Sequence, residues 1–197
     1  MRGALLGKIG VGSDDALIVV DLQIDFCTGG ALAVPEGDAI VESVNRLMGI
    51  PDWIKVATRD WHPSNHISFK ERGGGWSHHC IAGTEGAKFH PGFETDKSDL
   101  IISKAATSDA EAYSGFDGTN LRTELKSRGV KRIFVCGLAT DYCVRATALD
   151  GRKEGFEVYV LEDAIRAVDM NPGDGDRSKE EMRIAGCLFS ESRDLIC

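Results

Sequence analysis

Lys131–Ala148, KRIFVCGLATDYCVRATA, changes its periodicity half-way along, and that change sets the fold class. Lys131 to Cys136 is a short apolar run with β-branched and aromatic residues, which reads as a buried strand. Gly137 breaks it, and from Asp141 onward the sequence takes up the 3.6-residue period of a helix. Cys143 falls in the first turn of that helix, where unpaired backbone N–H groups and the helix dipole favour a thiolate. Two readings of Cys143 stand on this stretch alone. It is a nucleophile on a strand–turn–helix junction, or a small apolar residue packing the helix onto a sheet.

Working outward, the same alternation recurs. Upstream, Ala16 to Val20 is a continuous apolar run, as expected of a strand buried on both faces. Glu36 to Met48 carries a helical apolar stripe of Ile40, Val41, Val44, Leu47 and Met48. Trp53 to Thr58 reads as a second strand, Asp99 to Ser103 as a third and Phe156 to Leu161 as a fifth. Helices are predicted over Asn120 to Arg128, stopped by Gly129, and over about Ser178 to Cys187. The alternation also places a helix between strands two and three, the one least marked in the sequence. Residues 1–14 read as a loosely held lead-in, and residues 61–98 as a long irregular insertion holding all five histidines. The pattern predicts an α/β fold: three layers, with a mainly parallel sheet of five or six strands and helices on both faces.

At 197 residues the chain suits one domain, residues 1–197. A net charge of −8 argues against a nucleic-acid or acidic-membrane partner, and no apolar run approaches the length of a membrane span. The six cysteines are scattered, without a C-x-x-C pair, which points to reduced thiols in a cytoplasmic enzyme.

Parallel strands gather the residues past their C-terminal ends along one edge, where open α/β sheets bind ligands. Asp21 follows strand one, Asp60 strand two, Lys104 strand three and Cys143 the turn after strand four. An aspartate, a lysine and a cysteine make a coherent nucleophilic set, in which the aspartate takes the thiol proton and the lysine supplies charge. Asp60 and His62, two apart at a strand end, can reach one divalent ion through oxygen and imidazole, with a third ligand from His66, His78, His79 or His90. Alternatively Asp60 simply orients His62 and no ion binds. Phe26, Trp76 and Tyr113 lie in loops near these groups, where a flat ring could stack between them.

Five segments carry a family resemblance: VVDLQIDF (19–26), TRDWHPSNHISF (58–69), WSHHC (76–80), ISKAATSDAEAYSGF (102–116) and CGLATDYCV (136–144). In this order they resemble the nicotinamidases of the isochorismatase-like cysteine hydrolases, and they span most of the chain. The resemblance implies a triad of Asp21, Lys104 and Cys143, and metal ligands Asp60, His62 and His79, with His66 a ligand in some members only. It implies a cis peptide at Leu138-Ala139, an oxyanion hole built from the N–H groups of Ala139 and Cys143, and a ring pocket lined by Phe26, Trp76 and Tyr113. The implied substrate is nicotinamide, and the implied cofactor a divalent metal, with zinc fitting an Asp/His/His set and iron or manganese also compatible. Homo-oligomers are common among such proteins. Other hydrolases of the superfamily, such as isochorismatases or carbamoyl-sarcosine amidases, would share Asp21, Lys104 and Cys143 but have less use for the three ligands. A silent scaffold on the same fold, or a redox-sensing Cys143, are the readings from other classes. His78 beside His79 leaves the third ligand ambiguous by one residue, and Cys27 has no role in the pattern.

Overall fold

The computed structural model describes residues 8–196. In chain order the strands are β1 (Ile9–Gly10), β2 (Asp15–Val20), β3 (Ile54–Asp60), β4 (Leu100–Lys104), β5 (Arg132–Leu138), β6 (Glu157–Arg166), β7 (Leu188–Ser190) and β8 (Leu195–Ile196). The α-helices are α1 (Val41–Met48), α2 (Leu121–Ser127), α3 (Arg145–Lys153) and α4 (Asp174–Ile184). Six of the strands form one sheet in the order β4-β3-β2-β5-β6-β7, and every pairing in it is parallel.

The sheet is sealed on both faces because the two central strands, β2 and β5, are apolar beyond their charged first residues. Leu17 and Val19 of β2, with Phe134, Cys136 and Leu138 of β5, face a core that includes Val44, Leu47 and Met48 of α1. Their alternating neighbours Ala16, Ile18 and Val20, with Ile133 and Val135, face a second core with Leu121 and Leu125 of α2, Ala148 of α3 and Met182 of α4. Successive strand side chains point to opposite faces, so an unbroken apolar run requires a layer on each side. The charged ends of the central pair are tied as well. Arg132 donates to both carboxylate oxygens of Asp15, at 2.6 and 2.7 Å.

Several expectations need correction. No α-helix stands between β3 and β4; residues there form only single 3-10 turns at Lys70–Arg72 and Thr95–Lys97. The lead-in is anchored from Ile9, where β1 pairs with β8; residues 1–7 lie outside the described residues. The last helix begins at Asp174 rather than Ser178. Asp174 and Asp176 in its first turn favour that end of the helix dipole, and the Asp174 carboxylate accepts the Asn171 N–H at 2.9 Å. That helix also ends before Cys187, because Gly186, at φ +88°, turns the chain and lets Cys187 N–H reach the Met182 carbonyl at 2.9 Å. Strand β7, only three residues long, has no counterpart among the predicted strands.

Strand order reverses between β2 and β5. From β2 the chain builds outward through β3 and β4, then returns beside β2 to build β5, β6 and β7 on the other side. The crevice at such a reversal is where open α/β sheets place their ligands. Asp21 leaves β2 and Cys143 follows β5 on the two sides of this one.

Candidate active site

Lys104, the last residue of β4, is the centre of the cluster. It is 1% exposed, and a buried ammonium needs partners. Its Nζ lies 2.9 Å from Asp21 Oδ2, pairs with Asp60 Oδ1, donates to the Ala112 carbonyl at 3.2 Å and lies 3.4 Å from Cys143 Sγ. Asp60 ends β3 and Asp21 follows β2, so three adjacent parallel strands deliver one group each to a common point. The Thr58 hydroxyl donates to the other oxygen of Asp21 at 2.6 Å. Asp21 at φ +46° and Ala105 at φ +49° are left-handed, a conformation that costs a non-glycine residue roughly 1–2 kcal/mol. Both flank the cluster, where strain of this kind is concentrated.

The two carboxylates around Lys104 are driven apart. Burial raises Asp21, and the charge of Asp60 adds to the shift, while Lys104 only partly opposes it. Burial acts on Asp60 too, but Lys104 and His62 override it and hold this carboxyl below the usual carboxylate range. Asp60 is therefore the standing counter-charge and Asp21 the group able to carry a proton. Burial also raises the Cys143 thiol well above an ordinary cysteine, against the pull of Lys104. The lysine favours a thiolate, as expected, but desolvation outweighs it.

Cys143 also does not sit in an ordinary first helical turn. Thr140–Val144 is a π-helical turn leading into α3. The Ala139 carbonyl accepts from Tyr142 and Val144, each at 3.1 Å, and not from the N–H of Cys143 between them. The Cys143 N–H is thereby left out of the ladder at this carbonyl, as suits π-turns at functional sites. The Leu138-Ala139 peptide is cis, as expected. Ala139 and Cys143 line the same cavity.

Asp60, His62 and His79 each present a ligand atom, all within 4.8 Å of one another. The Nδ1 of His62 faces the Ala105 carbonyl at 3.2 Å and that of His79 the Ser77 carbonyl at 2.8 Å, which puts the proton on Nδ1 and leaves the lone pair of each Nε2 free to bind a cation. The His62 Nε2 is buried and makes no hydrogen bond, facing only Asp60 Oδ2 at 3.5 Å, as fits two ligand atoms turned toward a shared cation. An oxygen and two imidazoles suit a divalent ion. Of the two neighbouring histidines His79 joins Asp60 and His62, while His78 points outward to Glu71 at 3.1 Å, with its side chain 47% exposed. His66 stacks on His62 at 4.2 Å, but its ring nitrogens face Ser68 Oγ at 2.7 Å and the Ala110 carbonyl at 3.0 Å. It braces the set from behind. His90 lies apart from this set, against Asp38 and the buried Cys27.

Phe26, Trp76 and Tyr113 all line the cavity. Trp76 Nε1 donates to the Tyr113 hydroxyl at 3.0 Å. Tyr142, which sequence reasoning missed, packs edge-on to Trp76 at 5.1 Å and completes the aromatic wall. Its position beside Cys143 was the available signal. Val168 also reaches the cavity, held by Asp141, whose carboxylate accepts the N–H groups of Val168 and Asp169 at 2.9 Å each. No local pattern marks that contact.

Residues 15–191 match the Isochorismatase domain family. This chain belongs to the isochorismatase family. It is 38% identical over 203 residues to the nicotinamidase of Acinetobacter baylyi, across 92% of this chain and 94% of that protein. The crystal structure of the pyrazinamidase of Pyrococcus horikoshii in complex with zinc is similar at a TM-score of 0.84 and 52% identity, over 90% of this chain and 99% of that one. The structure of PnC1 from L. infantum in complex with nicotinate is similar at a TM-score of 0.92 and 38% identity, over 97% and 99% of the two chains. Among the described residues no helix is long and apolar enough to cross a membrane.

Proposed function

We propose that this protein is a nicotinamidase, an amidohydrolase that converts nicotinamide to nicotinate and ammonia in NAD salvage, with Cys143 as its nucleophile. One observation carries the chemistry: Lys104 Nζ lies 2.9 Å from Asp21 and 3.4 Å from Cys143 Sγ, beside a cavity walled by aromatic rings. The nicotinamidase and nicotinate-complexed relatives support the substrate.

Asp21 takes the thiol proton as the sulfur attacks the carboxamide carbon, so charge separates only during the attack. The N–H groups of Ala139 and Cys143 receive the oxyanion; a single donor of this kind is worth about 10²–10³ in rate. The Asp21 acid returns the proton to the departing nitrogen, the C–N bond breaks, and ammonia leaves a nicotinoyl thioester. Water then loses a proton to Asp21 and attacks the thioester carbon. The C–S bond breaks, the sulfur regains the proton from Asp21, and nicotinic acid departs, losing its remaining proton to water as nicotinate. Lys104 keeps its charge throughout, because Asp21 and Asp60 outweigh the cost of its burial and hold its pKa well above that of a free lysine. Asp60, His62 and His79 would hold a divalent ion, which we assign as zinc on their donor set and on the zinc-complexed relative. When bound, such an ion supplies a fixed positive anchor for a ring nitrogen. Phe26, Trp76 and Tyr113 hold the ring by stacking and exclude water.

The test is ammonia release from nicotinamide by purified, metal-replete protein, beside Cys143→Ala and a chelated sample. Turnover by wild type and none by Cys143→Ala is the expected result. Absence of turnover in the replete wild type overturns the substrate, and activity in Cys143→Ala overturns the nucleophile.

A further inference from the structure

The segment leaving β2 carries more than the proton acceptor. After Asp21, alternate residues Gln23 and Asp25 hydrogen-bond to the backbone of residues at or beside the ligand set, Gln23 through buried bonds and Asp25 through a part-buried one to Cys80. Gln23 is fully buried. Its Nε2 donates to the Asp60 and Ala87 carbonyls at 2.9 Å each, while its Oε1 accepts the Asp60 N–H at 2.8 Å. One amide therefore clasps both backbone groups of Asp60.

Asp25 performs the corresponding task beside His79. Its Oδ2 accepts the N–H of Cys80 at 2.7 Å, and its Oδ1 accepts that of Ala31 at 3.2 Å. Cys80 is fully buried and left-handed at φ +46°, a conformation in which a cysteine needs support. Its carbonyl in turn accepts the N–H of His62 at 3.0 Å. The single residue Cys80 is thus joined covalently to His79, by hydrogen bond to His62, and by its N–H to Asp25. The chain is shaped to admit this carboxylate: a Cβ on Gly86 would stand 2.2 Å from Asp25 Oδ2.

We propose that Gln23 and Asp25 are positioning residues for the metal, fixing the backbone on which Asp60, His62 and His79 converge before the ion arrives. The proposal rests on the reading that these three residues are the ligands. Without Asp25, Cys80 loses the bond that holds it left-handed, and the His79 ring loses its aim relative to His62. Supporting groups of this kind typically contribute about 10–100-fold to metal affinity.

The experiment is zinc affinity of the metal-free protein, measured by competition with a chromophoric chelator, with circular dichroism as the check on folding. Wild type is expected to take up one equivalent, and Asp25→Ala to bind roughly 10–100-fold more weakly. Asp25→Asn keeps the volume and one acceptor, so it remains measurable if the alanine variant does not fold, and it too is expected to weaken binding. In Asp25→Asn/Cys80→Gly, glycine adopts the left-handed conformation unaided and part of the affinity returns, which a merely structural role would not produce. Stoichiometric zinc in wild type with unchanged affinity in the Asp25 variants, or no recovery in the double variant, overturns the positioning role. No zinc uptake by wild type removes the ligand assignment itself, and the proposal with it.

Discussion

Lys104 Nζ stands 3.4 Å from Cys143 Sγ at a point where both residues are at most 5% exposed. An ammonium so placed serves two functions at once: it pairs with two buried carboxyl groups and lowers the cost of negative charge on the sulfur. Lys104→Met keeps the stem and deletes the charge. It leaves Asp21 and Asp60 uncompensated, which is expected to cost about 3–5 kcal/mol of stability together with nearly all activity. Thermal unfolding and ammonia release measure the two losses; wild-type stability in Lys104→Met contradicts the central ion cluster.

The proton inventory fixes the pH dependence. Asp21 must be ionised to accept the thiol proton, and its pKa is raised by burial. Activity should therefore fall as pH drops through a midpoint above the ordinary aspartate value of about 3.9. On the alkaline side the thiol keeps its proton past the ordinary cysteine value of about 8.5, because burial raises Cys143. A pH profile of kcat/KM tests the acid limb. Iodoacetamide should alkylate Cys143 more slowly than free cysteine near neutral pH, and faster alkylation would mean a resting thiolate.

The Trp76–Tyr113 hydrogen bond ties two loops across the cavity. Trp76→Phe and Tyr113→Phe each remove it while keeping a ring. Each is expected to raise KM by roughly two- to tenfold, the equivalent of about 0.5–1.5 kcal/mol, with kcat little changed. Because both remove the same bond, the double variant should be no worse than either single one; additive effects would show that the bond itself is idle.

Gly137 sits at φ +110°, and a Cβ there would stand 2.0 Å from the Val20 carbonyl. Gly137→Ala must push β5 away from β2, or abandon the backbone that leads to Ala139 and Cys143. A loss of about 3 kcal/mol or more is expected, read by thermal unfolding, in the range of severe overpacking. Unchanged stability would mean that the two strands are further apart than described.

Legibility in the sequence followed periodicity. The inner strands are apolar on both faces, so their runs stand out, and strand ends in a parallel sheet fall on one edge by topology alone. Asp21, Asp60, Lys104 and Cys143 could be grouped for that reason. The insertion had no period to read, and the expected helix there is absent, since its turns are fixed by side-chain-to-backbone bonds such as those of Gln23 and Asp25. Tyr142 and Val168 reach the cavity through long-range packing that no local window contains. The Cys143 thiol shows a related limit: the sequence displays the lysine, but not the desolvation that outweighs it.

The reversal of strand order divides the chemistry between two lengths of chain. The portion before the exposed turn at Arg128 and Gly129 supplies Asp21, Asp60, His62, His79 and Lys104, while the portion after it supplies Ala139 and Cys143. They meet along the β2–β5 pairing, which runs from Asp15 against Arg132 to Val20 against Gly137. Neither length carries a complete reaction centre. Cut at that turn, the polypeptide would yield two fragments whose reunion could be scored by ammonia production, a natural layout for a split-enzyme reporter.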